Sequence, residues 1–223
     1  MKVSLACSPS YAIAYCKLAL GETLLVEAGG MVAMSGGVSL SASTGGGALK
    51  GAMRKMLGGE TFFLGRYTAD TEGAWVAVAP RNPGDIAELP LDGKVDVITE
   101  QGAYLASTAG LNMSVVAGNT TSMMNREGLT LLRHRGVGTL LICSYGGLQT
   151  FSLDDGQSVI VDTGHLVGYT STVTPTIGPV GSIIASAAAG EGFAAKLTGP
   201  GMVWMQTRAD HGDGWFTPRR KQN

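Results

Sequence analysis

The feature that most constrains this chain is a Gly-punctuated pattern of alternating strands that returns three times at nearly constant spacing. The first copy reads Leu20-Gly21-Glu22-Thr23-Leu24-Leu25-Val26-Glu27-Ala28-Gly29. The second runs from Leu91-Asp92-Gly93 to Thr99-Glu100-Gln101-Gly102, the third from Leu153-Asp154-Asp155-Gly156 to Val161-Asp162-Thr163-Gly164. A short apolar strand follows each: Met31-Val32-Ala33, Tyr104-Leu105-Ala106 and Leu166-Val167-Gly168. The anchoring glycines Gly29, Gly102 and Gly164 lie 73 and 62 residues apart.

A second pattern interleaves with the first. Strands open at Glu60, Glu127 and Glu191, then reach Gly turns at Gly73, Gly138 and Gly201, which are 65 and 63 residues apart. Period-two alternation broken by turns every ~8–12 residues specifies an all-β sandwich or barrel. Three units of about 65 residues therefore predict a pseudo-threefold β architecture. One unit alone cannot cover its apolar face, whereas three share a core. Turns also account for the 34 glycines in 223 residues, because glycine adopts φ > 0 without a Cβ clash. Gly45-Gly46-Gly47 lacks the frame of a phosphate loop.

Charge and cysteine usage narrow the function classes. Sixteen Lys and Arg against 17 Asp and Glu give a net charge of −1, which speaks against nucleic acid as a partner. Apolar runs such as Leu140-Leu141-Ile142-Cys143 fall far short of the ~20 residues of a membrane span. Three unpaired-looking cysteines without a C-x-x-C suit a reducing, cytoplasmic setting. Leu5-Ala6-Cys7 lacks the apolar run of a secretory signal and reads as part of an ordinary first strand. The expected organisation is one domain over residues 1–208 and a disordered tail over 209–223.

One stretch breaks the β pattern. Leu49, Ala52, Met53, Met56 and Leu57 fall on one helical face, Lys50, Arg54 and Lys55 fall away from it, and Gly58-Gly59 stops the run. The residues Leu49, Lys50, Met53, Arg54, Lys55, Met56 and Leu57 are the candidate surface for a partner protein or an anionic lipid. The competing expectation is a cap on the β core. Three cations contribute ~3 kcal/mol at an anionic surface, so several copies in a homo-oligomer, with a trimer as first expectation, would bind better through effective concentration. An uncharged insert, Ile183-Ile184-Ala185-Ser186-Ala187-Ala188-Ala189-Gly190, reads as a second cap.

Catalytic patterns are hard to find. His165 follows Asp162-Thr163-Gly164, but its counterparts are Gly30 and Ala103, so the pattern does not need it. His134, between Arg133 and Arg135, reads as an exposed edge residue, and His211 sits in the polar tail. No His-x-His pair and no G-x-S-x-G elbow occur. Cys143 reads as core. Glu60, Glu127 and Glu191 recur with the pattern and read as strand-opening groups. Neither a catalytic residue, a metal nor a cofactor is expected.

Several of these motifs carry a resemblance. Glu27-Ala28-Gly29-Gly30-Met31, Gly58-Gly59-Glu60-Thr61-Phe62-Phe63, Pro83-Gly84-Asp85-Ile86, Val161-Asp162-Thr163-Gly164-His165-Leu166-Val167 and Leu197-Thr198-Gly199-Pro200-Gly201-Met202-Val203-Trp204 resemble the mitochondrial biogenesis family named for altered inheritance of mitochondria protein 24. The matches run in order over about residues 10–208, and only the stretch 119–126 departs from the usual pattern. The resemblance implies a double-stranded β-helix similar to the trp RNA-binding attenuation protein, without implying RNA binding. It also implies a link to membrane organisation through the mitochondrial relatives. The resulting expectation is a non-enzymatic scaffold near membranes. The rival expectation is a small-ligand module or enzyme with a pocket inside the β-helix.

Overall fold

The computed structural model describes residues 1–43, 64–116, 130–179 and 193–209. The expected helix at 49–57, the insert at 183–190, the stretch 119–126 and the tail from 210 onward lie outside the described residues. What is described is all-β. Strands β1 (Lys2–Ala6), β2 (Ile13–Lys17), β3 (Thr23–Glu27), β4 (Met31–Met34), β5 (Val38–Ser43), β6 (Leu64–Ala69) and β7 (Trp75–Val78) make the N-terminal third. The middle third contains β8 (Ile86–Asp92), β9 (Val97–Glu100), β10 (Tyr104–Thr108), β11 (Leu111–Val115) and the long β12 (Leu131–Cys143). The last third has β13 (Leu148–Leu153), β14 (Ser158–Asp162), β15 (Leu166–Thr170), β16 (Thr174–Pro179), β17 (Phe193–Thr198) and β18 (Gly201–Gln206). Helical structure among the described residues is confined to two 3-10 turns, Gln101–Ala103 and Thr163–His165.

Alternation sets the faces of these strands. In β2, Ala14 and Cys16 point inward while Tyr15 and Lys17 point out; in β3, Leu24 and Val26 are fully buried. The described strands pair antiparallel, and four contacts recur in each third. The first joins β2–β7, β8–β12 and β13–β18. The second joins β3–β6, β9–β12 and β14–β17. The third joins β4–β7, β10–β12 and β15–β18, and each carries a register shift at the same place, Met31/Ala33, Tyr104/Ala106 and Leu166/Gly168. The fourth joins β5–β6, β11–β12 and β16–β17. In the middle third, β12 alone does the work of two strands elsewhere.

Two further pairings connect the thirds. β3 pairs with β10, and β9 pairs with β15, three residues each. These pairings merge the strands between the ends into one eleven-stranded sheet, leaving a four-stranded sheet (β1-β2-β7-β4) at one end and a three-stranded sheet (β14-β17-β16) at the other. Three apolar clusters fill the spaces. The first draws Leu105, Leu141 and Cys143 of the middle third into the N-terminal core, and the second draws Val167 and Trp204 of the last third into the middle one. In the third, Ile98 and Leu131 of the middle strands join Val161, Leu197 and Val203.

Turn chemistry follows the glycine pattern in part. Gly21, Gly93 and Gly156 take φ of 77°, 83° and 75°, the left-handed region that a Cβ disfavours. The second set is offset by one residue. Register places Ala74, not Gly73, at the position of Gly138 and Gly201, because Val76, Leu140 and Val203 are the matching partners of Met34, Ser107 and Tyr169. A side-chain device unites this set instead. The hydroxyls of Ser35, Thr108 and Thr170 accept the N–H of Trp75, Thr139 and Met202, each at 3.0 Å.

The links between thirds also touch. Gly84 and Gly146 form a parallel bridge, with the Gly146 N–H donating to Pro83 O at 2.8 Å and the Ala12 N–H to Gly84 O at 2.9 Å. A Cβ on Gly84 would stand 1.6 Å from the Ser144 carbonyl oxygen, an overlap that only backbone movement relieves. Gly84→Ala is therefore expected to remove about 3 kcal/mol or more of stability. Gly36→Ala, where a Cβ meets nothing within 4 Å, is expected to leave the urea midpoint within error of wild type.

Candidate functional site

The candidate surface residues Leu49, Lys50, Met53, Arg54, Lys55, Met56 and Leu57 lie outside the described residues, as do Glu60, Glu127, Glu191 and His211. The described strands fix where that segment is attached: Ser43 pairs with Leu64, so the chain leaves and re-enters the β5–β6 hairpin at adjacent positions. Segments 117–129 and 180–192 leave the β11–β12 and β16–β17 hairpins at the corresponding places, next to the Val115–Leu132 and Pro179–Phe193 pairs.

His134 corrects the exposed-edge expectation: it is fully buried. Antiparallel pairing with β9 sets it opposite Val97 and turns its ring inward. The imidazole stacks on Tyr104 with ring centroids 5.5 Å apart and planes 6° from parallel. Its Nε2 lies 2.9 Å from Thr99 Oγ1, while Nδ1 finds no partner among the described residues. Burial pushes the His134 pKa down to about 4, so the ring is neutral at pH 7. Tyr104 extends the chain of polar contacts, its hydroxyl 3.0 Å from Ser107 Oγ and 3.3 Å from Leu25 O. Flanking arginines gave the sequence a charged look here; period two, counted from buried Leu132, was the signal that placed His134 inward.

The acids that close β3, β9 and β14 are Glu27, Glu100 and Asp162. Glu100 Oε2 accepts the Gly102 N–H at 2.6 Å and Asp162 Oδ1 the Gly164 N–H at 2.8 Å, so two of the three cap the turns that follow them. Sequence reasoning missed their electrostatics. Burial raises Glu27 to about 7, with the charge of Glu100 adding to it and Arg81 opposing it. Glu100 also rises to about 7 through burial, against the pull of three backbone N–H groups. Both carboxyls are therefore partly protonated near neutrality.

Other reactive groups are quieter. Burial, reinforced by Glu27 and Glu100, pushes the Cys143 thiol well up, and Cys16 rises to about 12; neither is a thiolate at pH 7. His165 Nδ1 lies 2.8 Å from Gln206 O, and Gln206 Nε2 donates to Gly164 O at 3.0 Å, which ties its turn to β18. Arg135 grips Asp96 with Nε at 3.2 and 3.1 Å and Nη2 at 2.8 Å, holding that carboxyl below its usual range. Among the described residues, no three His, Cys, Asp or Glu side chains are grouped to hold a metal ion. No helix among them is long and apolar enough to cross a membrane.

The titrations oppose one another. Glu27 and Glu100 are raised from 4.5 to about 7, so their contribution is full below pH 4.5 and is lost as pH rises through 7. His134 is lowered from 6.5 to about 4; its contribution is full above pH 6.5 and falls away toward pH 4. Two carboxyls outweigh one imidazole. The urea midpoint of the wild-type chain is thus expected to rise as pH drops from 8 to 5. In a Glu27→Gln/Glu100→Gln variant it is expected to fall between pH 6.5 and 4.5 instead.

Comparison with known proteins places this chain. The family model described as Mitochondrial biogenesis AIM24 matches residues 3–208. An uncharacterised protein of Streptococcus pyogenes serotype M6 is 28% identical over 195 residues, covering 84% of this chain and 77% of its own. An X-ray crystal structure of a Streptococcus pyogenes protein superposes with a TM-score of 0.74 at 26% identity, covering 93% of this chain and 94% of the other. The chain belongs to the mitochondrial biogenesis AIM24 family.

Proposed function

From that membership we propose that the chain is a non-enzymatic interaction scaffold of the cytoplasm that works at an anionic membrane surface. Its architecture, on this reading, is three pseudo-repeats of a double-stranded β-helix akin to the trp RNA-binding attenuation protein fold. One observation carries the proposal: among the described residues, several groups with reactive side chains are spent on structure. His134 is a stacked neutral ring in the core, Cys143 and Cys16 are held as thiols, and Glu100 and Asp162 cap turns. Contact with lipid falls to Leu49, Lys50, Met53, Arg54, Lys55, Met56 and Leu57, in the sequence between β5 and β6.

A second reading has one observation in its favour. Burial raises Glu27 and Glu100 both to about 7, and the charge of Glu100 adds to the rise of Glu27, which suits a small-ligand module or an enzyme more than a passive wall. Vesicle flotation separates the two. The scaffold reading expects binding that grows with the anionic lipid fraction, weakens at high salt and is abolished by Lys50→Glu/Arg54→Glu/Lys55→Glu. Absence of binding to anionic vesicles at low salt overturns the membrane role and leaves the carboxyl pair as the place to look.

A further inference from the structure

Among the described residues, strand β1 has no counterpart in the other two thirds. Val76, Leu140 and Val203 occupy matching places, so their partners Cys16, Leu89 and Phe151 match too, and β2, β8 and β13 are one strand in three settings. On β2 the outer edge is taken by β1, which sets Val3 beside Cys16. Among the described residues β8 pairs only with β12, and β13 only with β18.

Side-chain exposure records the difference. Cys16, with Val3 and Met1 packed against its cluster, is 0% exposed, whereas Phe151 is 38% exposed. Gln149, Thr150 and Ser152 on the same strand are exposed as well. Open edges of soluble proteins are guarded by Pro or charge. β8 has that protection in Glu88, Pro90 and Asp92. β13 reads Leu-Gln-Thr-Phe-Ser-Leu, with neither. Its outer backbone groups and its aromatic ring suit an added strand.

The path of the chain supplies the occupant. Beyond β18 the Thr207 N–H donates to Gly147 O at 3.0 Å and the Arg208 N–H to Tyr145 O at 3.1 Å, so the chain leaves at the head of β13. Because β18 and β13 are antiparallel, a segment that turns back over that head runs alongside β13 toward Leu153. Reaching Phe151 on the free edge means crossing two strand spacings, about 10 Å, and descending three residues, about 10 Å more. Residues 209–214 span up to ~20 Å, which delivers Trp215 to Phe151. Counted on from there, Pro218 falls just past Leu153 and ends the pairing, and Arg219-Arg220-Lys221 arrives at the turn Asp154-Asp155-Gly156. Asp154 and Asp155 are exposed and form no ion pair among the described residues. We propose that the tail of the chain adds to the free edge of β13 in the same molecule, with Trp215 laid beside Phe151 and Arg219, Arg220 and Lys221 on Asp154 and Asp155. Trp215 then does for Phe151 what Val3 does for Cys16. The contact is independent of any lipid binding.

Amide hydrogen exchange read by mass spectrometry tests this on the full chain. Segments 148–153 and 215–221 of the wild type are expected to exchange about tenfold or more slowly than in a Trp215→Asp/Phe216→Asp variant. Asp154→Lys/Asp155→Lys is expected to release the tail in the same way. Adding Arg219→Asp/Arg220→Asp/Lys221→Asp to that variant restores the attraction with its sign reversed, so protection of segment 215–221 is expected to return. The protection is expected to be the same at every protein concentration, as an intramolecular contact requires. A wild-type tail that exchanges as fast as in Trp215→Asp/Phe216→Asp overturns the proposal, and this comparison stands even where the Asp154→Lys/Asp155→Lys variant fails to fold. Protection that grows with concentration, or a folded charge-swapped variant whose tail stays unprotected, overturns it as well.

Discussion

Everything in this fold depends on sheets shared between neighbouring thirds of the chain. A strand triplet from one third has an apolar face that its own residues do not cover, and the triplet from the next third supplies the cover. The β3–β10 and β9–β15 pairings are the seams, and the apolar clusters run across them. Short strands are affordable under this arrangement because no sheet has to stand alone. The register shifts at Met31/Ala33, Tyr104/Ala106 and Leu166/Gly168 sit in the very strands that reach, or are free to reach, across a seam. A bulge bends and twists its strand, which aims each of them at its neighbour.

Polar groups near the seams meet the requirement that buried donors and acceptors be paired. Hydroxyls of Ser35, Thr108 and Thr170 accept an N–H from β7, β12 and β18. Asp96 and Ser171 exchange two contacts across the β9–β15 seam, the Asp96 N–H to Ser171 Oγ at 3.2 Å and the Ser171 N–H to Asp96 O at 2.9 Å. Tyr104 and His134 are the less economical solution. Stacking and one hydrogen bond hold the imidazole, with Nδ1 left unpartnered among the described residues.

How much of this was legible follows from what each signal encodes. The all-β class was readable because strand alternation and Gly turns are local, and Gly21, Gly93 and Gly156 do adopt the conformation that the pattern implied. His134 was misplaced because neighbouring arginines dominate a composition-based reading, while its burial is decided by β9 and Tyr104, which are distant in sequence. The slip from Gly73 to Ala74 arose because a glycine can be moved one place along a turn without changing the look of the motif. The raised carboxyls of Glu27 and Glu100 depend on surroundings gathered from several strands, which no single motif contains.

One strand has a role that no other shares. β12 runs unbroken for 13 residues and is the common partner of β8, β9, β10 and β11. In the flanking thirds the equivalent pairings are divided between two strands, so one can open while the other stays docked. β12 permits no such partial release, since peeling it away dismantles both seams at once. Local opening of the native state therefore starts at the ends of the array and stops at β12. Amide protons along that strand exchange only when the whole molecule unfolds.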